Sequence, residues 1–207
     1  MKMYDKHRDL TAKRHVIMIT DGDDVAKQVI EQVAKDIGGR CITLSAGNPT
    51  PISGEEIVEL ILQAKHDPVL VMFDDNGRAG YGAGESAMVQ VARHPRISVL
   101  GVIAVASNTA HTNCTHVDVA IDAQGRIVEQ GVNKAGDVLP DSEKCIFGDT
   151  VEILGQLNIP VIVGIGDIGK MKRRDHLCYG APVTHKAVEI ILERSGYYEQ
   201  ANKEAEN

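Results

Sequence analysis

The chain has 207 residues, 43% of them hydrophobic, and a formal net charge of -7. That length suits one domain with a full core, and the core must be aliphatic because only 3% of the residues are aromatic and none is Trp. The acidic charge argues against a nucleic-acid partner, which would require a basic face, and no apolar run approaches the roughly 20 residues that cross a bilayer.

Short aliphatic runs predict five strands that alternate with amphipathic helices. The first helix carries apolar residues at helical spacing and ends at Gly38-Gly39. The second helix opens with a capping box of Ser53 and Glu56. In chain order the expected elements are strand 15–20, helix 23–37, strand 40–44, a helix from Ser53, strand 69–73, helix 85–93, strand 97–106, helix 149–157, strand 160–164 and helix 183–195.

Residues 117–129 interrupt this order of strands and helices. On both sides of a turn at 123–126, apolar side chains alternate with polar ones. Such a pattern is typical of an antiparallel hairpin. Right-handed crossovers then give an α/β fold with a doubly wound, mostly parallel five-stranded sheet, Rossmann-like or flavodoxin-like, with helices on both faces. We expect a single domain at 15–196 with the hairpin and its loop inserted at 112–145, and flexible tails at 1–14 and 197–207.

Each predicted strand stops at small, acidic or amide residues. Strands buried on both faces read as continuous aliphatic runs, and in an open parallel sheet the carboxyl ends of the strands line one edge, where ligands usually bind. We call this edge the carboxyl edge. The ligand-binding residues expected there and in the adjacent loops are Asp21, Asp23, Asn48, Asp74, Asp75, Asn76, Gly77, Arg78, Gly80, Gly82, Asn108, Gly166 and Asp167.

Asp21-Gly22-Asp23, directly after the first strand, admits two interpretations. An aspartate pair in this position suits Mg²⁺ and resembles the nucleophile motif of haloacid-dehalogenase-like phosphotransferases, in which one aspartate attacks phosphorus. That family needs a later Ser/Thr, a Lys and a closing acidic pair in that order, whereas here Asp74-Asp75 comes before Ser107. The favoured interpretation is that Asp23 or Asp24 caps the first helix while Asp21 holds the turn.

Asp74-Asp75-Asn76-Gly77 resembles the Asp-rich strand end of Toprim-type metal sites. A Toprim domain also needs a glutamate after its first strand, where this chain has Asp21, and the EF-hand spacing is missing. A turn in which Asx side chains bond local N–H groups is the simpler interpretation. The glycines that follow exceed what one turn needs, and such a loop can offer N–H groups to an anion or move as a lid; they are Gly77, Gly80, Gly82 and Gly84.

Residues 164–169 match the string G-x-G-x-x-G after a strand. The dinucleotide fingerprint needs a helix directly after the glycines, whereas this chain has a basic stretch and Pro182 before any helix, so nicotinamide or flavin binding is disfavoured. The basic stretch, Lys170 to Arg174, is either a solvated loop or a contact for an anionic ligand or lipid headgroups.

His111, Cys114 and His116 could hold zinc with Asp118 or Cys145, but zinc sites use longer, paired spacings, so a loop without a metal is favoured. Cys114 could still be a reactive thiol. The four cysteines are dispersed without a Cys-x-x-Cys motif, which favours a reducing, cytoplasmic compartment. The charged N-terminal segment does not read as a secretory signal.

Four strings together resemble the soluble stage V sporulation protein AE family: Ile-Thr-Asp-Gly-Asp (19–23), Gly-Gly-Arg-Cys-Ile-Thr-Leu-Ser-Ala-Gly-Asn-Pro-Thr (38–50), Phe-Asp-Asp-Asn-Gly (73–77) and Gly-Ile-Gly-Asp-Ile-Gly-Lys-Met (164–171). The resemblance covers about 15–195. It implies a spore-forming Firmicute and a product of an operon for dipicolinic acid movement, without membrane spans. It also implies a location in the forespore or spore, in the cytoplasm or peripheral on the inner spore membrane, with membrane subunits of the transport machinery as partners. It carries over no catalytic or binding residues.

Two functions are consistent with these observations. The first is a non-enzymatic accessory protein of sporulation and germination that binds a small anionic ligand or a membrane partner at the carboxyl edge. Dipicolinate, a dianion usually held with Ca²⁺, would meet the acidic residues only through calcium but could meet the glycine-loop amides and Arg78 directly. The second is a Mg²⁺-dependent phosphotransferase or nuclease that uses Asp21, Asp23, Asp74 and Asp75. Ca²⁺ and Mg²⁺ are thus the candidate cations, and self-association stays open.

Overall fold

A computed structural model describes residues 12–77, 81–107, 114–140, 144–148 and 150–199. The strands are β1 Arg14–Ile19, β2 Arg40–Cys41, β3 Val69–Met72, β4 Ile97–Val105, β5 Thr115–His116, β6 Val119–Ile121, β7 Ile127–Val128, β8 Cys145–Ile146 and β9 Ile162–Ile165. The α-helices are α1 Asp24–Asp36, α2 Gly54–Gln63, α3 Ala83–Arg93 and α4 Pro182–Arg194. Short 3₁₀ turns occupy Thr43–Ser45, Glu152–Gln156, Met171–Arg173 and Leu177–Tyr179.

The main sheet has seven strands in the order β2-β3-β1-β4-β9-β6-β7. The five strands expected from the sequence are parallel neighbours, since β1 pairs in parallel with β3 and β4, β2 with β3, and β4 with β9. The mixed α/β class and the mostly parallel sheet are therefore confirmed. The predicted count of five strands is wrong, because two further strands extend the sheet beyond β9.

Those two strands are β6 and β7, which lie within the segment expected to be an insertion. They pair antiparallel with each other, and β6 also pairs in parallel with β9 through Val119 opposite Val163 and Ala120 opposite Gly164. The segment therefore continues the main sheet and does not stand apart from it. β5 and β8 form a separate antiparallel pair.

Two predicted elements differ from the structure. The second strand stops after two residues because the backbone of 43–45 turns, and the Ser45 hydroxyl donates to the Ile42 carbonyl while accepting from the Met72 N–H. The helix predicted at 149–157 is a 3₁₀ helix at Glu152–Gln156 that has no side-chain cap among the described residues. Asp149, the first residue of the predicted helix, lies outside the described residues.

The core fills both faces of the sheet because consecutive strand residues point to opposite sides. In β1, Ile17 and Ile19 pack with α1 and α4, while Val16 and Met18 pack with α2 and α3. Each fully buried aliphatic side chain contributes roughly 1.5–3 kcal/mol. This two-sided packing produces the continuous aliphatic runs seen in the sequence. No helix in the described part of the chain is long and apolar enough to cross a membrane.

The helix starts show which aspartates are structural. Asp23 caps α1 by accepting from the N–H groups of Val25 and Ala26, and Ser53 and Glu56 form the capping box of α2, as predicted. The last two α-helices begin at Gly82 and Ala181, which offer no capping side chain. Buried aspartates from other segments take over that role, as described below for Asp75 and Asp175.

Cys114 and Cys145 form a disulfide, with their Cα atoms 5.7 Å apart. The antiparallel pair of β5 and β8 brings them together, because Cys145 lies opposite His116. Cys114 is therefore not the reactive thiol that the sequence allowed. His111 lies outside the described residues, and Cys41 and Cys178 are free thiols.

Candidate functional site

The carboxyl edge brings together aspartates from three different strand ends. Asp21 follows β1, Asp74 follows β3 and Asp167 follows β9, and all three are buried. The N–H of Gly22 donates to Asp74 Oδ2 at 3.2 Å, and the charges of Asp23, Asp167 and Asp74 all act on Asp21. The expectation that these side chains meet at one edge is thus confirmed; whether they bind a ligand stays a prediction.

The other predicted site residues are distributed differently. Asn48, Asn76 and Gly77 are exposed on the loops after the 3₁₀ turn at 43–45 and after β3. Gly82 lies beside Asp75, since a Cβ at this position would overlap the Asp75 carboxylate. Arg78, Gly80 and Asn108 lie outside the described residues.

Asp21 has an unusual environment for a carboxyl group. Its side chain is 8% exposed; burial, followed by the charge of Asp23, raises its pKa to about 7. Oδ1 accepts from the Asp23 N–H at 3.2 Å, whereas Oδ2 is buried without a hydrogen-bond partner among the residues that the structure describes. A buried oxygen without a partner is unfavourable in a folded protein. Asp21 is therefore poised to accept a proton or to engage a donor from a bound group.

Lys170 links two of the neighbouring aspartates. Its Nζ lies 2.5 Å from Asp23 Oδ2 and 3.2 Å from Asp167 Oδ1, and Lys134 Nζ lies 3.5 Å from Asp167 Oδ2. Partial burial acts to raise the pKa of Asp23, but the hydrogen bonds from Lys170 and from backbone N–H groups outweigh it and lower that pKa. Burial acts to lower the pKa of Lys170, but Asp23 and Asp167 outweigh it and raise that pKa.

Asp74 and Asp75 mainly organise the backbone. Asp74 Oδ1 accepts from the Asn76 N–H at 2.8 Å, which confirms the interpretation of residues 74–77 as an Asx turn. Asp75 is 1% exposed, and its two carboxylate oxygens accept from the N–H groups of Gly84 at 2.6 Å and Glu85 at 2.9 Å. Asp75 therefore caps α3 from the preceding strand end.

A cleft of about 330 Å³ opens beside Asp167, and we call it the carboxyl-edge cleft. Three of its lining side chains are lysines, and each is paired with a carboxylate: Lys134 and Lys170 with Asp167, and Lys172 with Asp137. The loop after β7 forms one wall, with the Lys134 carbonyl accepting from the Asp167 N–H at 2.8 Å. Gly166 permits this approach, because a Cβ there would lie 2.7 Å from the Gly136 nitrogen. The lining residues are Asn133, Lys134, Ala135, Asp167, Lys170, Met171 and Lys172.

Lys134 and Asn133 were not among the residues predicted from the sequence. They lie in a polar loop that carries no binding motif, and they join the site only because β6 and β7 extend the main sheet past β9. The basic stretch at 170–174 was singled out, and the structure places Lys170 and Lys172 in the cleft.

The described carboxylates do not form a metal centre. Within the described ranges, no three His, Cys, Asp or Glu side chains are arranged to hold a metal ion. Asp23 and Asp75 are committed to helix caps, and Lys170 occupies the space between Asp23 and Asp167.

A model of the family described as Stage V sporulation protein AE1 matches residues 15–195. The matched range includes the main sheet apart from Arg14, the first residue of β1, and it includes the four α-helices of the described residues and the carboxyl-edge cleft. No curated protein and no solved structure matches the chain.

Proposed function

The chain belongs to the stage V sporulation protein AE1 family, and from this premise we propose that it is a non-enzymatic accessory protein that binds a small anionic ligand or a partner at its carboxyl edge. Membership of the family implies a role in sporulation. Our finer proposal is that this role is associated with the movement of dipicolinic acid, alone or as its calcium chelate, through membrane proteins of the spore, during sporulation and germination.

The observation that carries the binding proposal is the charge of the carboxyl-edge cleft. Lys134, Lys170 and Lys172 line it, although the chain as a whole is acidic. The Lys134 side chain is 42% exposed and its Nζ lies 3.5 Å from Asp167 Oδ2, which is long for an ion pair, so the ammonium group can reorient toward a ligand. A small dianion entering the cleft would meet three ammonium groups, in competition with their carboxylate partners Asp23, Asp137 and Asp167.

Calorimetry with the purified chain tests this proposal directly. Dipicolinate, Ca²⁺ and their equimolar mixture are titrated separately, which distinguishes the free acid from the chelate. Lys134→Gln should weaken binding by about threefold to tenfold, the range expected for loss of one partly exposed charge contact. Lys35→Gln is the matched control, since Lys35 is an exposed lysine in the last turn of α1.

A measurement in spores completes the test. Spores that carry Asp74→Ala should contain less dipicolinate than the parent, because Asp74 joins the first and third strand ends through the Gly22 N–H. Normal dipicolinate content in these spores, together with no heat of binding for any of the three titrants, would contradict the ligand proposal.

The partners that we propose are the membrane subunits of the dipicolinic acid transport machinery. Contact would be peripheral, since no helix of the described ranges can span a bilayer. Pull-down of these subunits by the wild-type chain, compared with the Lys134→Gln variant, would separate partner binding from ligand binding.

The alternative, a Mg²⁺-dependent phosphotransferase or nuclease, finds less support in this geometry. Asp21 combines a buried carboxyl group with a pKa raised to about 7, whereas Asp23 and Asp75 are occupied as caps. A screen of generic phosphatase and nuclease substrates with Mg²⁺ or Mn²⁺ checks this conclusion. Turnover that is abolished by Asp21→Asn would replace the binding proposal with the enzymatic one.

A further inference from the structure

Residues 171–174, which we call the basic turn, present cations in an otherwise acidic chain. The side chains of Lys172, Arg173 and Arg174 are exposed, while the chain carries a net charge of -7. Lys172 pairs with Asp137 at 2.8 Å. Neither arginine has an ion pair or a hydrogen bond from its guanidinium group to any described residue, so both remain available to a ligand.

The backbone of the basic turn is strained. Met171, Lys172 and Arg173 have φ values of 42°, 55° and 69°, so three consecutive residues with side chains occupy the left-handed region. This region is unfavourable for residues that carry a Cβ. Such conformations persist only where the surrounding structure enforces them, and they are concentrated at ligand clamps and active sites.

Anchors on both sides of the turn enforce this conformation. Before it, Lys170 is bound to Asp23 and Asp167. Within it, the Met171 side chain is buried in the core. These contacts leave the backbone of the turn little freedom at its first residues.

Asp175 supplies the anchor after the turn. Its carboxylate is fully buried and accepts from the N–H groups of Gly169, Val183 and Thr184 and from the Thr184 hydroxyl, at 2.6–3.0 Å. Asp175 thus ties Gly169, which precedes the turn, to the start of α4. The cations are therefore displayed from a rigid support, which reduces the entropy lost when they bind.

The cleft around the basic turn indicates the chemistry of its ligand. It measures about 630 Å³ and is lined by Lys172, Arg173, Arg174 and Tyr179. Tyr179 lines the cleft and is 64% exposed. Guanidinium groups bind phosphate and carboxylate oxygens through paired, charge-assisted hydrogen bonds.

We propose that this cleft is an oxyanion-binding site that holds the phosphate or carboxylate group of an anionic ligand between Arg173 and Arg174. The site is separate from the function proposed above, although Lys172 borders both clefts. A soluble phosphate and a phospholipid headgroup share this chemistry, and the experiment distinguishes them.

The full chain is titrated with inorganic phosphate by calorimetry and, in a second arm, sedimented with vesicles of phosphatidylglycerol mixed into phosphatidylcholine. The double variant R173Q/R174Q should weaken binding of the preferred probe by at least about tenfold, because two charge-assisted contacts are lost. R93Q/R194Q removes the same charge from the last turns of α3 and α4 and should bind within about twofold of wild type. Saturable phosphate binding would identify a soluble oxyanion, and binding to the anionic vesicles alone would identify a headgroup.

The variant Arg173→Gly tests whether the Arg173 side chain binds the ligand or whether the turn is only a strained surface loop. Glycine tolerates a φ of 69°, so this variant should raise the melting temperature while it weakens binding as R173Q does. Failure of the wild-type chain to bind either probe, or equal binding by R173Q/R174Q, would overturn the proposal. Unchanged melting of the glutamine variants would show that lost binding does not reflect unfolding.

Discussion

Lys170 Nζ lies 2.5 Å from Asp23 Oδ2, and this contact joins residues 147 positions apart in the sequence. Asp23 caps α1, and Lys170 belongs to the turn after β9, so one ion pair fixes the start of the first helix against the last strand end. Because the same ammonium group reaches Asp167, it also offsets the negative charge that surrounds Asp21. The pair therefore couples helix capping to the electrostatics of the carboxyl edge.

Replacing this lysine should destabilise the protein moderately. Lys170→Met removes contacts to two carboxylates while retaining the apolar stem, and we expect the free energy of unfolding to fall by about 1–2 kcal/mol, more than for an exposed pair. Lys172→Met is the matched control, because its pair with Asp137 is largely exposed and should change stability by less than about 0.5 kcal/mol. Urea unfolding at neutral pH measures both; equal losses would contradict the role assigned to Lys170.

The raised pKa of Asp21 predicts that its contribution to stability depends on pH with the opposite sign to that of an ordinary ion-paired aspartate. Its pKa is about 7 in the folded chain, against 3.8 as the reference for the unfolded chain. Between pH 3.8 and about 7 the folded state binds more protons than the unfolded state. The contribution of Asp21 to stability is therefore full below pH 3.8 and is lost as the pH rises through about 7.

Asp21→Asn tests that sign. Asparagine can still accept from the Asp23 N–H, but it does not ionise, so the variant should gain stability relative to wild type as the pH rises from about 4 to about 8. The relative gain should reach roughly 2–4 kcal/mol. Urea unfolding of both proteins at several pH values measures it, and parallel pH profiles would refute the assignment.

Replacement of the buried Asp175 should strongly destabilise the protein. Asp175→Ala removes the acceptor of four hydrogen bonds and leaves the start of α4 uncapped. We expect a loss of about 3 kcal/mol or more, since buried donors lose their partners. Asp24→Ala, at an exposed position in the first turn of α1, should cost less than about 1 kcal/mol. Thermal unfolding monitored by circular dichroism compares the two variants.

Gly22, after β1, lies close to Gly47 in the loop after β2 and to Asp74 after β3. A Cβ at this position would lie 2.6 Å from the Gly47 carbonyl oxygen and 3.2 Å from Asp74 Cβ. Gly22→Ala should therefore displace the loop or the Asp74 side chain and cost about 1–3 kcal/mol. Gly155→Ala is the control, because a Cβ there meets nothing within 4 Å. The prediction fails if both variants melt at the same temperature.

Much of the framework could be predicted because its signals are local. The aliphatic runs located β1, β3, β4 and β9, and the Asp23 cap and the capping box located the starts of α1 and α2. The weakest predictions were the elements whose hydrogen bonds depend on distant segments. The second strand ends early at the edge of the sheet, and β6 joins the sheet only through its pairing with β9.

The sequence by itself determined the alternation of strands and helices, the polar residues at the strand ends and the resemblance to a sporulation family, because aliphatic periodicity, caps and short strings are properties of neighbouring residues. Only the tertiary structure decided what those polar residues do. It turned Asp75 and Asp175 into helix caps, brought Lys134 to Asp167, joined Cys114 to Cys145 and left Asp21 with an oxygen lacking a partner among the described residues. Each of these outcomes depends on burial and on a partner far along the chain, which no local pattern specifies.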